Sequence, residues 1–345
     1  MIISINLKSL PLVSVIILNY NGVSSLHDNL FRFLRQVLET DYQNFEVILV
    51  DNGSTDGSFD ALRHNFAQMK NIKLVALKEN VGYAKANNIG CKFADPASRY
   101  FVFLNNDVMV TQQWLQYLVS NIEKDTCIGA IGGKIMQFRE KNMIDSAGGY
   151  LDFLGYIYGR RGILTDVTTM RDVFFVFGSA IMVRRNVFER IGGFQEQFFL
   201  GYEEIDLCWR IWISGFKVKY VPQIIGFHVG SATTKSIPNS VMIFHATKNR
   251  LFTLFSNYEL KNIIKYVGFI IVINILDFLY NLKKNSSVSF SYLRSWAYII
   301  KHLRIIIQRR MFIKAIRSVS DYELFKRRLI IRPLLLNKLR GQNFI

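Results

Sequence analysis

Four short apolar runs, VSVIIL (13–18), FEVILV (45–50), IKLVAL (72–77) and YFVFL (100–104), each lead into a polar cluster and then toward a helical pattern. Runs of this length bounded by turn residues read as strands buried on both faces. Between the first two, SSLHDNLFRFLRQVLE (24–39) sets Leu26, Leu30, Phe33, Leu34, Val37 and Leu38 on one helical face, with Ser25 and Asp28 spaced as a capping box. Phe59, Leu62, Phe66 and Met69 repeat the pattern after the second run, and a further helix follows Gly82. Thr111 opens another, with Trp114, Leu115, Leu118, Val119 and Ile122 facing inward. Such alternation implies an α/β fold with a mostly parallel sheet flanked by helices, whose ligands bind outside the carboxyl ends of the strands. NYNG (19–22), DNGSTDGS (51–58), ENVGYAKANN (79–88) and NND (105–107) all fall on that rim.

The fourth cluster carries the sharpest chemical demand. A buried ionised carboxylate without a partner costs on the order of several kcal/mol, and no neighbouring Lys or Arg in sequence serves Asp107. One reading is a hard divalent cation, Mg2+ or Mn2+, bridging the protein to a diphosphate. The other is an Asx turn of Asn105, Asn106 and Asp107 leading to the helix at Thr111. The motif alone leaves the two level.

From Phe174 the pattern changes. FFVFGSAIMVRR (174–185) reads as a strand interrupted at Gly178 and Ser179, followed by a short helix, the turn GGF (192–194) and a helix in YEEIDLCWRIWISG (202–215) with Gly215 as its C-cap. FKVKYV (216–221) and GFHVGSATT (226–234) close this region, and beyond Pro238 the chain is helical. The most apolar stretch, 262–284, has only eleven uncharged residues between Lys265 and Asp277, short of the roughly 20 that a bilayer span needs. The formal charge of +17 is concentrated at the end: from Lys283 onward 15 Lys and Arg face only Asp321 and Glu323. Basic, aromatic, amphipathic helices suit the headgroup layer of an anionic membrane, and docking on the preceding domain is the alternative. Cys91, Cys127 and Cys208 are far apart and odd in number, which suggests neither a disulfide framework nor a zinc site and fits a reducing cytosol. LVSVIIL (12–18) is too short to span and reads as a strand, so export is not expected.

Taken in order, VSVIILNYNG, VDNGSTDGS, NVGYAKANN, FLNNDV, FGSAIMVRR, FLGYEEIDLCWR and HVGSA closely resemble glycosyltransferase family 2, and more narrowly its bacterial rhamnosyltransferase-like branch, over about residues 11–235. The resemblance implies a GT-A fold, Rossmann-like, with a catalytic domain over 1–236 and a helical, basic, membrane-associated extension over 237–345. It implies inverting, metal-dependent transfer of a single sugar, rhamnose among the candidates, from a dTDP- or UDP-sugar to a lipid-linked glycan acceptor. The setting implied is surface-polysaccharide assembly (cell wall or O-antigen) on the cytoplasmic, inner face of the plasma membrane.

Residue by residue, Asp51 corresponds to the carboxylate that binds the nucleotide base, with Asn19 and Asn21 shaping the pocket or satisfying turn backbone. Gly82 admits the donor closely and Asn80 caps the turn. Asn105, Asn106 and Asp107 match the D-x-D element with an amide in its first position, leaving Asp107 as the metal ligand and Asn105 as a weaker contact to the donor. His228 matches the position that completes the metal site, although a neutral imidazole suits so hard a cation poorly. Gly178 and Ser179 match a segment beside the sugars. The catalytic base corresponds to Glu204, a methylene longer than the usual Asp, with Glu203 as runner-up and Asp206 bracing the helix or pairing with Arg210. Phe194, Trp209 and Trp212 could stack on sugars, but their spacing is that of core residues.

Two enzyme classes that share such a sheet lack their signatures here: NYNG is neither the Gly-rich basic loop of a sugar nucleotidyltransferase nor the G-x-G-x-x-G of an NAD enzyme. A nucleic-acid-binding role for the basic tail is the non-enzymatic alternative and would show a steep salt dependence. A processive synthase would carry Q-x-x-R-W, which QRRMF (308–312) does not match.

Overall fold

The computed structural model, described for residues 10–160, 167–230 and 237–333, places the four apolar runs side by side. They form β1 (Val13–Asn19), β2 (Phe45–Asp51), β3 (Ile72–Ala76) and β4 (Tyr100–Asn105), interleaved with α1 (Gly22–Leu26), α2 (Asp28–Leu38), α3 (Ser58–Phe66) and α4 (Tyr83–Cys91). β1 is the centre of this half, paired in parallel with β2 on one side and β4 on the other, and β3 lies outside β2. In this register Asn19 sits opposite Asp51 and Leu18 opposite Asn105, so the polar clusters do share one rim.

Beyond β4 the sheet is mixed. β5 (Val108–Val110) and α5 (Trp114–Ile122) precede β6 (Ile128–Gln137), β7 (Ile144–Ser146), β8 (Gly149–Asp152) and β9 (Ile157–Gly159). Then come β10 (Arg171–Asp172), β11 (Ala180–Arg184), α6 (Arg185–Arg190), α7 (Glu203–Ile213) and the long β12 (Lys217–His228). The path through the sheet runs β10-β12-β6-β11-β4-β1-β2-β3, with β11 antiparallel to both β4 and β6 and β12 parallel to β6. Parallel pairing thus dominates the half that carries the first four rim clusters. β5 pairs with the end of β12, setting Val108 against His228 and bringing Asp107 beside it.

The capping box expected at Ser25 and Asp28 does not form. The helix predicted over 24–39 breaks at His27, which has a left-handed φ of 52°, and neither resulting helix has a side-chain cap. Its first-turn amides are taken by the neighbouring loop instead: Val23 N donates to Ser58 Oγ at 3.1 Å and Ser24 N to Asp56 Oδ2 at 2.8 Å. Leu26 and Leu30 stay buried on either side of the break, so the apolar face survives.

The last third holds α8 (Asn239–Asn257), α9 (Leu260–Leu282), α10 (Ser286–Lys301), α11 (Leu303–Ile316), α12 (Asp321–Lys326) and a short β13 (Ile330–Ile331) that pairs with β8. It is knit to the sheet half. Leu251, Phe252 and Tyr258 enter the same core cluster as Ile205 and Trp209. Asp206, buried in α7, pairs with Arg210 at 2.7 Å as expected and also accepts from Asn257 in α8 at 3.0 Å. Phe194, Trp209 and Trp212 are buried in that core, not sugar platforms. The three cysteines are unbridged.

Gly82 shows why its position needs glycine. With φ 84° and ψ 168° it lies in a region essentially closed to other residues, and a Cβ there would stand 2.8 Å from the Cα of Phe199. The close approach is to the segment before α7, to which Tyr83 N also binds through Phe199 O at 2.9 Å. Gly82→Ala should therefore cost about 2–4 kcal/mol of stability, read as a lowered denaturant midpoint; an unchanged midpoint would refute the packing account.

Candidate active site

Where β4 and β12 end, β7 and the loops before β11 and α7 enclose a cleft of about 220 Å³. Asn105, His228 and Asp145 of β7 share its lining with Tyr83, Gly178, Ser179, Glu203 and Glu204, and Asn105 N donates to Ser179 O at 3.0 Å. Six of the sequence-nominated residues therefore meet in one cavity, and Asp107 lies 3.2 Å from His228 without being among the lining residues. Residues 231 and 232 of HVGSA lie outside the described residues.

His228 is held between two carboxylates. Its Nδ1 is 2.9 Å from Asp145 Oδ2, and its Nε2 is 3.2 Å from Asp107 Oδ1. Burial by itself would lower the imidazole pKa, but Asp107 and Asp145 on either nitrogen outweigh it and push the value up to about 10. Asp107 Oδ1 is buried, and the imidazole is its partner.

Among the described residues no group of three acidic, histidine or cysteine side chains is arranged to hold a metal by itself. The pair still fits a divalent cation that completes its shell with substrate and water oxygens, as Mg2+ commonly does. The buried Asp107 carboxylate faces His228 Nε2, where a cation would take the place of the shared proton, and a carboxylate on the far nitrogen is the usual support of a metal-ligating histidine. Asp145 was not visible in sequence: NMIDSAGG carries no recognisable spacing, and only the pairing of β7 with β6 brings the residue here.

The glutamates of the cleft come from the start of α7. Tyr202 precedes it in a left-handed conformation, φ 75°, and Glu203 and Glu204 are its first two residues. Glu203 is buried, and burial followed by the neighbouring Glu204 charge pushes its carboxyl up to about 8. Glu204 is only partly buried. Its Cδ and Tyr83 Oη are the nearest atoms, 3.6 Å away, to where a Cβ on Gly178 would be, so glycine there keeps the cleft open beside the carboxylate. Tyr83 Oη donates to Gly178 O at 3.2 Å, and proximity to both glutamates adds to burial in raising its pKa.

The raised pKa of Glu203 has a measurable consequence. Its folded value lies above its unfolded one, so the folded state holds the extra proton and stability is lost as pH rises from about 4.5 to about 8. Glu203→Gln should abolish that loss. Its melting temperature should exceed that of the parent above about pH 8 and match it in acid; parallel curves across the range would sink the assignment.

The remaining rim residues play supporting parts. Asn19 is fully buried; its amide donates to Asp51 Oδ2 at 2.9 Å and its Oδ1 accepts from Asn106 at 3.0 Å, tying β1 to β2 and β4. Asp51 also accepts from Ser54 N at 2.9 Å and Ser54 Oγ at 2.7 Å, which occupies much of its carboxylate. Asn21 Oδ1 accepts from Thr55 N, and Asn80 Oδ1 from Gly82 N and the Asn52 amide. These residues brace the loops of the rim, and the hydrogen bonds they make are internal.

Comparison with known proteins follows the same outline. The model of the family described as glycosyl transferase family 2 matches residues 14–192, just over half of the chain. A second, the N-terminal domain of galactosyltransferase, matches 170–245 and includes α7 and His228. The O-antigen biosynthesis protein RfbC of Myxococcus xanthus is 30% identical over 57% of this chain and 16% of its own length. The poly-beta-1,6-N-acetyl-D-glucosamine synthase of Staphylococcus aureus is 26% identical over 63% of this chain and 50% of its own. The chain thus spans half or less of these relatives. Among solved structures, GalNAc-T7 with UDP, GalNAc and Mn2+ superposes with a TM-score of 0.58 at 19% identity, covering 75% of this chain and 50% of that one. The mannosyltransferase PcManGT of Pyrobaculum calidifontis, with GDP-Man and Mn2+, gives 0.53 at 17% identity over 90% and 87%. At such identities the likeness is one of fold, the GT-A arrangement of a curled mixed sheet with flanking helices.

Proposed function

Because the chain belongs to glycosyl transferase family 2, we propose that it is an inverting transferase moving one sugar from a nucleotide-diphosphate donor to a hydroxyl of a lipid-linked glycan. The observation that carries this reading is the shared cleft, whose lining holds Asp145 and His228 together with Glu203 and Glu204. Inversion needs a donor diphosphate held on one side of the anomeric carbon and a base on the other.

Asp107 and His228 would hold a divalent cation, Mg2+ or Mn2+, with Asp145 fixing the imidazole from behind. Once bound, such a cation offsets the charge of the leaving diphosphate. Glu204 is the base: it is more exposed than Glu203 and stands at a helix start, where the peptide dipoles favour a carboxylate. Its neighbour, raised toward neutrality, holds its proton at physiological pH and does not compete for the acceptor's. Asn105 and Gly178 lie where donor and acceptor sugars meet, and Asn19, Asn21, Asp51, Asn80 and Gly82 form the braced floor for the nucleotide.

In this reading residues 1–236 are the catalytic unit and 237–345 its membrane-facing extension. The charge distribution and the similarity to surface-polysaccharide enzymes support an acceptor in that pathway, at the cytoplasmic face of the membrane. A panel of dTDP- and UDP-sugars, scored by nucleotide release with Mn2+ and then with chelator, tests the assignment. Release from one donor only, and only with metal, is expected; release from none, or at full rate in chelator, would refute it.

A further inference from the structure

The C-terminal helices carry two features that the transfer reaction does not use, and they adjoin. Under α9 and α12 lies a cavity of about 1010 Å³ whose lining includes Lys261, Lys265, Arg328 and Arg332 among aromatic side chains, with no acid among its described residues. It shares Phe153 and Phe269 with a pocket of about 410 Å³, which in turn shares Tyr292 with a slot of about 280 Å³ lined by Ile271, Ile275, Phe278, Leu293 and Trp296. A basic chamber therefore opens along α9 into an apolar groove. Two acids lie on the way: Asp277 accepts a hydrogen bond from Tyr156 at 3.0 Å and the fully buried Asp152 from Tyr158 at 2.9 Å, and Lys261 lies 3.5 Å from Glu259.

The outer face of α9 is apolar and uncovered: Ile264, Phe269, Val272, Ile275, Leu276 and Leu279 are each half exposed or more. Soluble monomers rarely leave so many large apolar side chains together in water. By length and hydropathy α9 could cross a membrane. Its inner face argues otherwise. Asn262 donates to Asp321 at 2.8 Å, Asn274 accepts from Arg250 at 3.2 Å, Asp277 is bound by Tyr156, and the Phe278 carbonyl accepts from Ser289 at 2.6 Å. These ties run along about 24 Å of helix. A spanning α9 would have to drag the charged and polar partners into hydrocarbon or abandon them.

We infer that α9 lies in the plane of an anionic bilayer, its outer face among the acyl chains, with a lipid phosphate seated in the Lys261, Lys265, Arg328 and Arg332 cavity and a tail in the adjoining groove. Charge decides the occupant. Between residues 260 and 333 there are 15 Lys and Arg against Asp277, Asp321 and Glu323, so a second copy would oppose like charges, whereas an anionic leaflet complements them. Arg328 adds to this: it takes the left-handed position after α12, φ 56°, where glycine is favoured, and so places a long cation at the cavity.

The inference rests on the membrane setting proposed above, not on the transfer chemistry. Full-length protein is floated with phosphatidylcholine vesicles and with the same vesicles containing phosphatidylglycerol. At least about tenfold more protein should float with the anionic vesicles, and Lys265→Glu with Arg328→Glu should remove that gain. Ile275→Gln with Leu279→Gln should weaken binding to anionic vesicles at unchanged melting temperature. Inorganic phosphate should release no more protein than chloride of equal ionic strength, and alkaline carbonate should strip the protein from the vesicles. Equal flotation with both vesicles, unaffected variants, specific release by phosphate or resistance to carbonate would each overturn the inference. Nucleotide release from the donor in lipid-free buffer reports the transferase reading separately and should not change in these variants.

Discussion

Asp107→Asn is expected to lower nucleotide release from the donor by about a thousandfold, equivalent to ~4 kcal/mol of transition-state stabilisation, while leaving the fold intact. The contrast is what makes the experiment informative. In the parent protein two carboxylates flank one imidazole, and Asp107 Oδ1 is buried with the imidazole as its partner. Removing that charge leaves His228 paired with Asp145 alone, so the variant loses a metal ligand without stranding a buried ion. Adding Mn2+ should raise the melting temperature of the parent, because a ligand that binds only the native state stabilises it. The same addition should do nothing for the variant. A variant that still gains stability from Mn2+, or that turns over at the parental rate, would show that Asp107 serves the turn and not a cation.

Asp145→Asn belongs beside it as a graded case. Its oxygen touches only the far nitrogen of His228, so the loss should be about 10–100-fold, the range for partners of metal ligands. Asp145 also shows where reading the chain stops. The rim clusters were legible because each closes an apolar strand, and parallel pairing around β1 puts all such ends on one side. Motif order nominated Asp107, Glu204 and His228, and the fold places Glu204 and His228 in one cleft with Asp107 beside the imidazole. Asp145 was not, because its position depends on β7 folding back on β6 through an irregular register. The break at His27 was hidden for a related reason: the groups that satisfy α1, Ser58 and Asp56, come from the next loop, more than thirty residues away.

The roles of buried residues were harder still to read. Asn19 and Asp51, proposed above as part of the floor for the nucleotide, also bind each other and Ser54 in the fold. Sequence shows which side chains arrive at a rim and not which hydrogen bonds are already taken. The in-plane placement inferred for α9 has the same character. Lys265 and Asp277 signalled that spanning was disfavoured, yet the deciding contacts, from Arg250, Tyr156 and Ser289, are tertiary.

Glu204→Gln should reduce kcat by about 10²–10⁴-fold, the range for a positioned general base, with little change in the concentration of donor needed for half-maximal rate. The amide retains the size and polarity of the side chain beside Gly178 and Tyr83, so donor binding should persist while the acceptor hydroxyl loses its proton acceptor. Glu204→Asp is the more discriminating substitution. It restores the carboxylate of the family pattern with a methylene less reach, and recovery of rate above the Gln variant would mean that charge matters more than length. Glu203→Gln supplies the control from the adjacent position. Its carboxyl holds a proton up to about pH 8, so neutralising it should cost far less rate at neutral pH than the same change at Glu204. If instead Glu203→Gln abolished turnover and Glu204→Gln did not, the base would be the buried residue. The rate of the parent should then climb with pH through about 8 as that carboxyl ionises.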